Sequence, residues 1–222
     1  LHFILLLLLS SVCFFTMSEV VDKFDKCKQF FLDNTAPVFT PEDVSLKPIC
    51  QCLLDDKSQP IYLYATLYST SLKIPVFSAN VYNRSRTIGR CDAWYIEPQV
   101  NAAPNSDYHK SKYDRGHLYP VLHTNNHLPH RPTHEEAVMT DLNSCDKEAY
   151  VVTGVVPDMD VPKLKNRVYV SKYFWRATCC LKDGQYTGLG YYGPDEKVYM
   201  FLLCNSCVLL SYLPLNYVFE TP

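Results

Sequence analysis

The chain has 222 residues, 47% of them hydrophobic and 20% charged. That supports a packed core of single-domain size and excludes a disordered tail. The formal net charge is −2 and the pI is near 6.4, which excludes a strongly cationic nucleic-acid coat but leaves room for a local basic patch. With 17 Tyr and 11 Phe against 7 Gly, the composition favours sheet over Gly-loop architectures.

Residues 1–15 are almost wholly apolar, with the run Ile4-Leu5-Leu6-Leu7-Leu8-Leu9. The run is too short to span a bilayer comfortably and gives way to Thr16-Met17-Ser18-Glu19. It reads as the apolar region of a secretory signal peptide, residues 1–18, cleaved near Thr16 to Ser18, rather than as an uncleaved anchor. Ten cysteines fit an oxidising, extracellular destination. Cys13 lies in the leader. The remaining odd number predicts disulfides with one cysteine left over or paired between molecules. Cys50-x-Cys52 and Cys204-x-x-Cys207 lack a second pair at zinc-finger spacing, so disulfide chemistry is the better reading. Asn83-Arg84-Ser85 is a glycosylation sequon, which predicts a surface position for Asn83.

In chain order, Val20, Phe24, Cys27 and Phe31 share one face of a helical wheel, which predicts an amphipathic helix over residues 18–33, ended by Pro37 and Pro41. Residues 60–68 (PIYLYATLY) and 73–82 (KIPVFSANVY) predict two strands of a hairpin. Residues 84–115 lack periodicity and read as a long loop. Thr133 and Glu136 form a capping box after Pro132, predicting a helix over about residues 134–143. Residues 149–156 (AYVVTGVV) have a buried-strand pattern, and residues 167–171 and 173–181 read as further strands. Residues 198–215 are nearly all apolar, compatible with a marginal transmembrane helix or with a buried tail. Together these elements predict an α+β arrangement.

The densest reactive cluster is Tyr113-Asp114-Arg115-Gly116-His117-Leu118-Tyr119-Pro120. Within four residues it supplies an acid, a fixed guanidinium fork and a base that titrates near neutrality. Phosphodiester hydrolysis needs a base for the attacking water, positive charge for the developing phosphorane, and stabilisation of the departing oxyanion. His117 and Arg115 suit the first two. A divalent metal held by oxygen ligands such as an Asn carbonyl suits the third. The bland alternative is a salt-bridged surface turn around Gly116. Two other features have weaker claims. His127, His130 and His134 with Glu135 have metal-like spacings, but Pro129 and Pro132 break any common helix face, which makes them exposed loop histidines. Lys163, Lys165, Arg167, Lys172, Arg176 and Lys182, interleaved with aromatics, suit either a phosphate-tracking surface or a Lys-guarded strand edge.

The run Asp114-Arg115-Gly116-His117 resembles the DRGH signature of the DNA/RNA non-specific endonuclease family. Further blocks agree in order: residues 64–71 (YATLYSTS), 94–99 (WYIEPQ) and 150–157 (YVVTGVVP), then Phe174-Trp175 ahead of Cys179-Cys180. The likeness covers residues 21–192 and is greatest to the family's secreted vertebrate branch. It implies a ββα-metal (His-Me finger) fold, with a central antiparallel sheet flanked by helices and stapled by disulfides. It implies metal-dependent, sequence-independent hydrolysis of DNA and RNA. His117 corresponds to the general base, Arg115 to the arginine that contacts phosphate, and Asp114 and Gly116 to structural members of the motif. Asn143 corresponds to the asparagine that holds Mg2+ or to a nearby strand asparagine. Arg90 is a further candidate for substrate contact.

The chain departs from the family after the motif. The family's Trp- and Glu-bearing helix has no counterpart between Asn143 and Cys145, and the resemblance makes residues 137–143 a strand where the capping box makes them a helix. The expected organisation is a signal peptide (1–18), an endonuclease-like domain (19–197) and an apolar tail (198–222). The expected product is a secreted nuclease without stable membrane association. The competing reading is a non-catalytic protein that keeps the nuclease fold as a binding scaffold.

Overall fold

The computed structural model describes residues 16–38, 45–55, 57–83, 100–113, 142–194 and 199–202. Its frame is one eight-stranded antiparallel sheet in which every strand pairs with its neighbours in sequence. The strands are β1 (Thr16–Val20), β2 (Leu46–Leu54), β3 (Pro60–Ser69), β4 (Ile74–Tyr82), β5 (Ala149–Pro157), β6 (Ser171–Lys182), β7 (Gln185–Gly193) and β8 (Tyr199–Leu202). The hairpin of β3 and β4 and the strands β5 and β6 lie where the sequence pattern puts them.

The helix-flanked ββα arrangement is not what the described residues form. Their helical content is two 3₁₀ segments, Phe24–Phe30 and Leu32–Asn34, one α-turn, α1 (Asn105–Tyr108), and the helical residues 142–143. The predicted helix over residues 18–33 is replaced by β1 followed by the 3₁₀ segments. Ladder bonds to β2 take up residues 16–20. Cys27 and Asp33 then depart from helical φ/ψ, so the apolar spacing is met by a kinked ribbon. Residues 167–171 are not a separate strand. Arg167 and Val168 complete a turn closed by a single bridge between Leu164 and Val168, and β6 begins at Ser171. Of the capping-box helix, only residues 142–143 are described, and these are helical. Of residues 198–215, only β8 is described, paired with β7. Among the described residues no helix is long and apolar enough to cross a membrane.

The two faces of the sheet differ. One is apolar: Cys50, Ala65, Leu67, Phe77, Ala79, Val152, Trp175, Ala177 and Cys179 pack beneath Cys27, Phe30 and Phe31 of the 3₁₀ ribbon. Phe24 and Phe31 stack with centroids 5.0 Å apart. The ribbon is stapled down by the Cys27–Cys50 disulfide. Gly154 makes this packing possible. A Cβ there would strike the Trp175 indole on the paired strand and the Val76 carbonyl oxygen.

Candidate functional site

The opposite face carries a polar row. Strand register puts Thr66 beside Ser78, Ser78 beside Thr153, and Thr153 beside Arg176. All four are buried. Buried polar groups need partners, and the row supplies them from within. The Thr66 and Ser78 hydroxyls lie 2.6 Å apart, and the Arg176 Nε–H donates to the Thr153 Oγ1 at 2.9 Å. A parallel row one step along holds buried Asn80, Val151 and Thr178.

The two described segments that flank the Asp114–His117 motif both pack on this polar face, at opposite ends of the sheet. Upstream, Val100 packs with Ile49 and Tyr68, and Ala103 with Ile74, Val155 and Val168. The Lys73 Nζ donates to the Asn101 carbonyl at 3.0 Å, and Asp107 pairs with Arg167 at 3.4 Å. Burial, then the neighbouring Tyr108, push the Tyr68 phenol up to about 12. Downstream, Leu142 and Cys145 are buried with Tyr82, Ala149, Val151, Cys180 and Tyr191. The Cys145–Cys180 disulfide fastens that segment to β6. Cys179 is also disulfide-bonded.

Asp114, Arg115, Gly116, His117 and Arg90 lie outside the described residues. Asn143 and Asn83 are described and occupy one corner. The exposed Asn143 sits between buried Leu142 and Cys145, and its Oδ1 accepts the Tyr82 phenol proton at 2.7 Å. Asn83, the residue after Tyr82, donates from Nδ2 to the Glu148 Oε1 at 3.0 Å. Among the described residues no group of three or more His, Cys, Asp or Glu could hold a metal. The oxygen donors at this corner are the Asn143 carbonyl, held by Tyr82, and the Glu148 carboxylate, held by Asn83. That donor chemistry fits Mg2+, which keeps most of its waters and takes few protein ligands.

Four of the six basic residues of 163–182 have partners within the protein, and β6 is not a sheet edge. Lys172 pairs with Asp160 at 3.1 Å, and this contact raises its pKa. Lys163 sits 4.2 Å above the Tyr169 ring, Arg167 pairs with Asp107 and Arg176 is buried. Strand β6 lies inside the sheet, between β5 and β7. Trp175 is buried, and Tyr173 packs on Tyr192 at 5.2 Å, so neither ring is a free stacking platform.

Sequence reasoning missed Tyr82 and the polar row. The signal for the row was available, since Ser78, Asn80, Thr153 and Thr178 recur at every second position of otherwise apolar strands. For Tyr82, 61 residues from its partner, there was no local signal.

Comparison with known proteins adds the decisive observation. No family model matches the chain. It is, however, 28% identical to the human endonuclease domain-containing 1 protein over an alignment that covers 76% of this chain and 41% of that protein. The mouse endonuclease domain-containing 1 protein is 26% identical with the same coverage. The chain is homologous to the endonuclease domain-containing 1 proteins. It spans about two fifths of the length of these relatives. The disulfides it shows are consistent with an oxidising, extracellular environment.

Proposed function

We propose that this protein is a secreted, endonuclease-like hydrolase of DNA and RNA phosphodiester bonds, acting without sequence preference. The homology to endonuclease domain-containing proteins carries the reading. The placement of both motif-flanking segments on the polar face supports it. In this reading His117 takes the proton from the attacking water. Arg115 contacts the phosphate with charge-assisted hydrogen bonds that strengthen as charge develops. Asp114 and Gly116 shape the turn, and Arg90 adds positive charge toward substrate. Asn143 holds Mg2+ through its carbonyl oxygen. When bound, the ion would supply positive charge to the phosphate and leaving oxygens. Asn83 carries an N-linked glycan, and the apolar leader ahead of β1 is removed on export.

The test is cleavage of supercoiled plasmid by purified mature protein. His117→Ala should lower the rate by at least 100-fold, the lower range for loss of a general base. Arg115→Ala should lower both rate and substrate affinity. Full activity in His117→Ala would move the catalytic centre elsewhere. Inactivity of the wild-type protein with retained binding to DNA would favour a nuclease-derived scaffold that binds without cutting.

A further inference from the structure

We infer that a basic corner of the fold, just upstream of the Asp114–His117 motif, binds the phosphate backbone of nucleic acid, an inference that rests on the nucleic-acid reading of this chain but not on catalysis. Three segments distant in sequence build the corner. Leu72 and Ile74 at the start of β4, Ala103 upstream of the motif, and Leu164, Val168 and Tyr169 ahead of β6 share one apolar cluster. Polar contacts tie the same segments together. The Lys73 Nζ donates to the Asn101 carbonyl oxygen at 3.0 Å, the Tyr169 N–H donates to the Leu72 carbonyl oxygen at 3.1 Å, and Asp107 pairs with Arg167 at 3.4 Å.

Residues 69–74, 100–113 and 158–172 hold seven Lys and Arg against three Asp, a net charge of +4 in a chain whose net charge is −2. The three acids already face cations: Asp107 faces Arg167, and Asp158 and Asp160 face Lys172. Lys110, Lys112, Lys163 and Lys165 are all exposed, and among the described residues none of them is in an ion pair. Lys112 and Lys163 lie over the Tyr113 and Tyr169 rings, contacts that leave the positive charge in place. Lys73, Lys110 and Lys165 also hold φ of 62°, 55° and 49°. Gly and Asn suit that region better than Lys does, so the turns themselves give no reason for lysine at these positions.

Position in the chain points to the partner. Lys112 stands three residues before Arg115, so their Cα atoms are at most about 11 Å apart. Phosphates recur about every 3.4 Å of axis along a DNA strand. A strand with one phosphate at Arg115 therefore has its next few phosphates within reach of the corner.

The experiment follows binding of a short fluorescein-labelled DNA duplex to the mature protein by anisotropy, over a series of salt concentrations and in excess chelator, so that no turnover is needed. The test variant is Lys110→Asn combined with Lys165→Asn. Asparagine tolerates positive φ, so the turns are kept, which matched thermal melts check. The slope of log K against log salt should fall by about 2, roughly 1 for each lost phosphate contact. Lys23→Asn combined with Lys28→Asn removes the same charge from the 3₁₀ ribbon on the opposite face and should leave the slope unchanged. No fall in the first pair, or an equal fall in both, would overturn the corner as a binding surface, and plasmid cleavage by the wild-type protein would then leave the nuclease reading standing. Lost binding to phosphatidylserine vesicles in the first pair, with duplex binding unchanged, would overturn it in favour of a membrane partner. Wild-type protein that neither binds the duplex nor cuts plasmid would overturn both readings. The predicted slopes in a protein that cuts nothing would support the corner and remove the catalytic reading.

Discussion

Gly154→Ala is the substitution for which the structure gives the most definite consequence. Gly154 lies mid-strand in β5, paired with Trp175 on β6. A methyl group there would occupy the space of two Trp175 ring carbons and press on the Val76 carbonyl oxygen. The indole is 6% exposed and wedged in the apolar core, so it has no empty space to swing into. The carbonyl belongs to the interior strand β4 and moves only if the β4–β5 ladder moves. Overpacking of this kind costs about 1–3 kcal/mol. With backbone as one of the obstacles, the upper end of that range applies. In a chain of this size about 3 kcal/mol lowers Tm by roughly 6–12 °C. Far-UV circular dichroism melts of the two proteins, followed in parallel by tryptophan fluorescence, read both the loss and the displaced indole. A Gly154→Ala protein that melts within 1 °C of wild type, with an unchanged emission spectrum, would refute the packing described for this face.

Three further outcomes follow from other parts of the sheet. Ser78→Ala should cost about 1–3 kcal/mol by stranding the buried Thr66 hydroxyl, and Thr66→Val combined with Ser78→Ala should cost less than the sum of the single changes in a urea-unfolding cycle. Loss of the Cys145–Cys180 bridge, which links residues 35 apart, should cost about 4 kcal/mol by the chain-entropy relation, measurable as a lower urea midpoint for the Cys145→Ala, Cys180→Ala double variant. Stability should also fall in alkali: burial raises the Tyr62 and Tyr68 phenols to about 12, Tyr62 helped by the bond it donates to Glu19. Their protonated forms are favoured in the folded state, so that contribution is intact below the unfolded value near 10 and is lost as pH rises through 12. Stability measured by urea unfolding from pH 9 to 12 should decline, with a smaller decline in Tyr68→Phe.

The sequence was most legible where pairing is local and alternation clean. The β3–β4 hairpin and β5 declared themselves through runs such as PIYLYATLY and AYVVTGVV. The turn between β6 and β7 was equally plain in principle. Asp183-Gly184 has positive φ at both residues and joins Lys182 directly to Gln185, the two-residue turn that Asp-Gly favours. Strand β7 was nonetheless overlooked, because its three glycines, Gly188, Gly190 and Gly193, dilute the apolar pattern. Strands β1 and β2 were hidden for a different reason. Their register is fixed by each other and by the Cys27–Cys50 bridge, contacts between residues far apart in sequence, so the helix-like spacing of Val20, Phe24, Cys27 and Phe31 prevailed on paper. The basic run was ambiguous on paper because charge is visible in a sequence while partners such as Asp107 and the Tyr169 ring are assigned only by the fold. The proposed chemistry rests on Asp114-Arg115-Gly116-His117 together with the family resemblance of the blocks around it. The support for Asn143 was not legible there, since it comes from Tyr82 and Cys180, each brought to it by the fold.

The central claim is hydrolysis of nucleic acid with the help of a divalent cation. It is tested most directly by incubating supercoiled plasmid and single-stranded RNA with the purified mature protein, once with Mg2+ and once with excess chelator. Nicking of the plasmid and degradation of the RNA with Mg2+, both abolished by the chelator, are the predicted result. Cleavage that persists in chelator, or intact nucleic acid in both conditions, would contradict it.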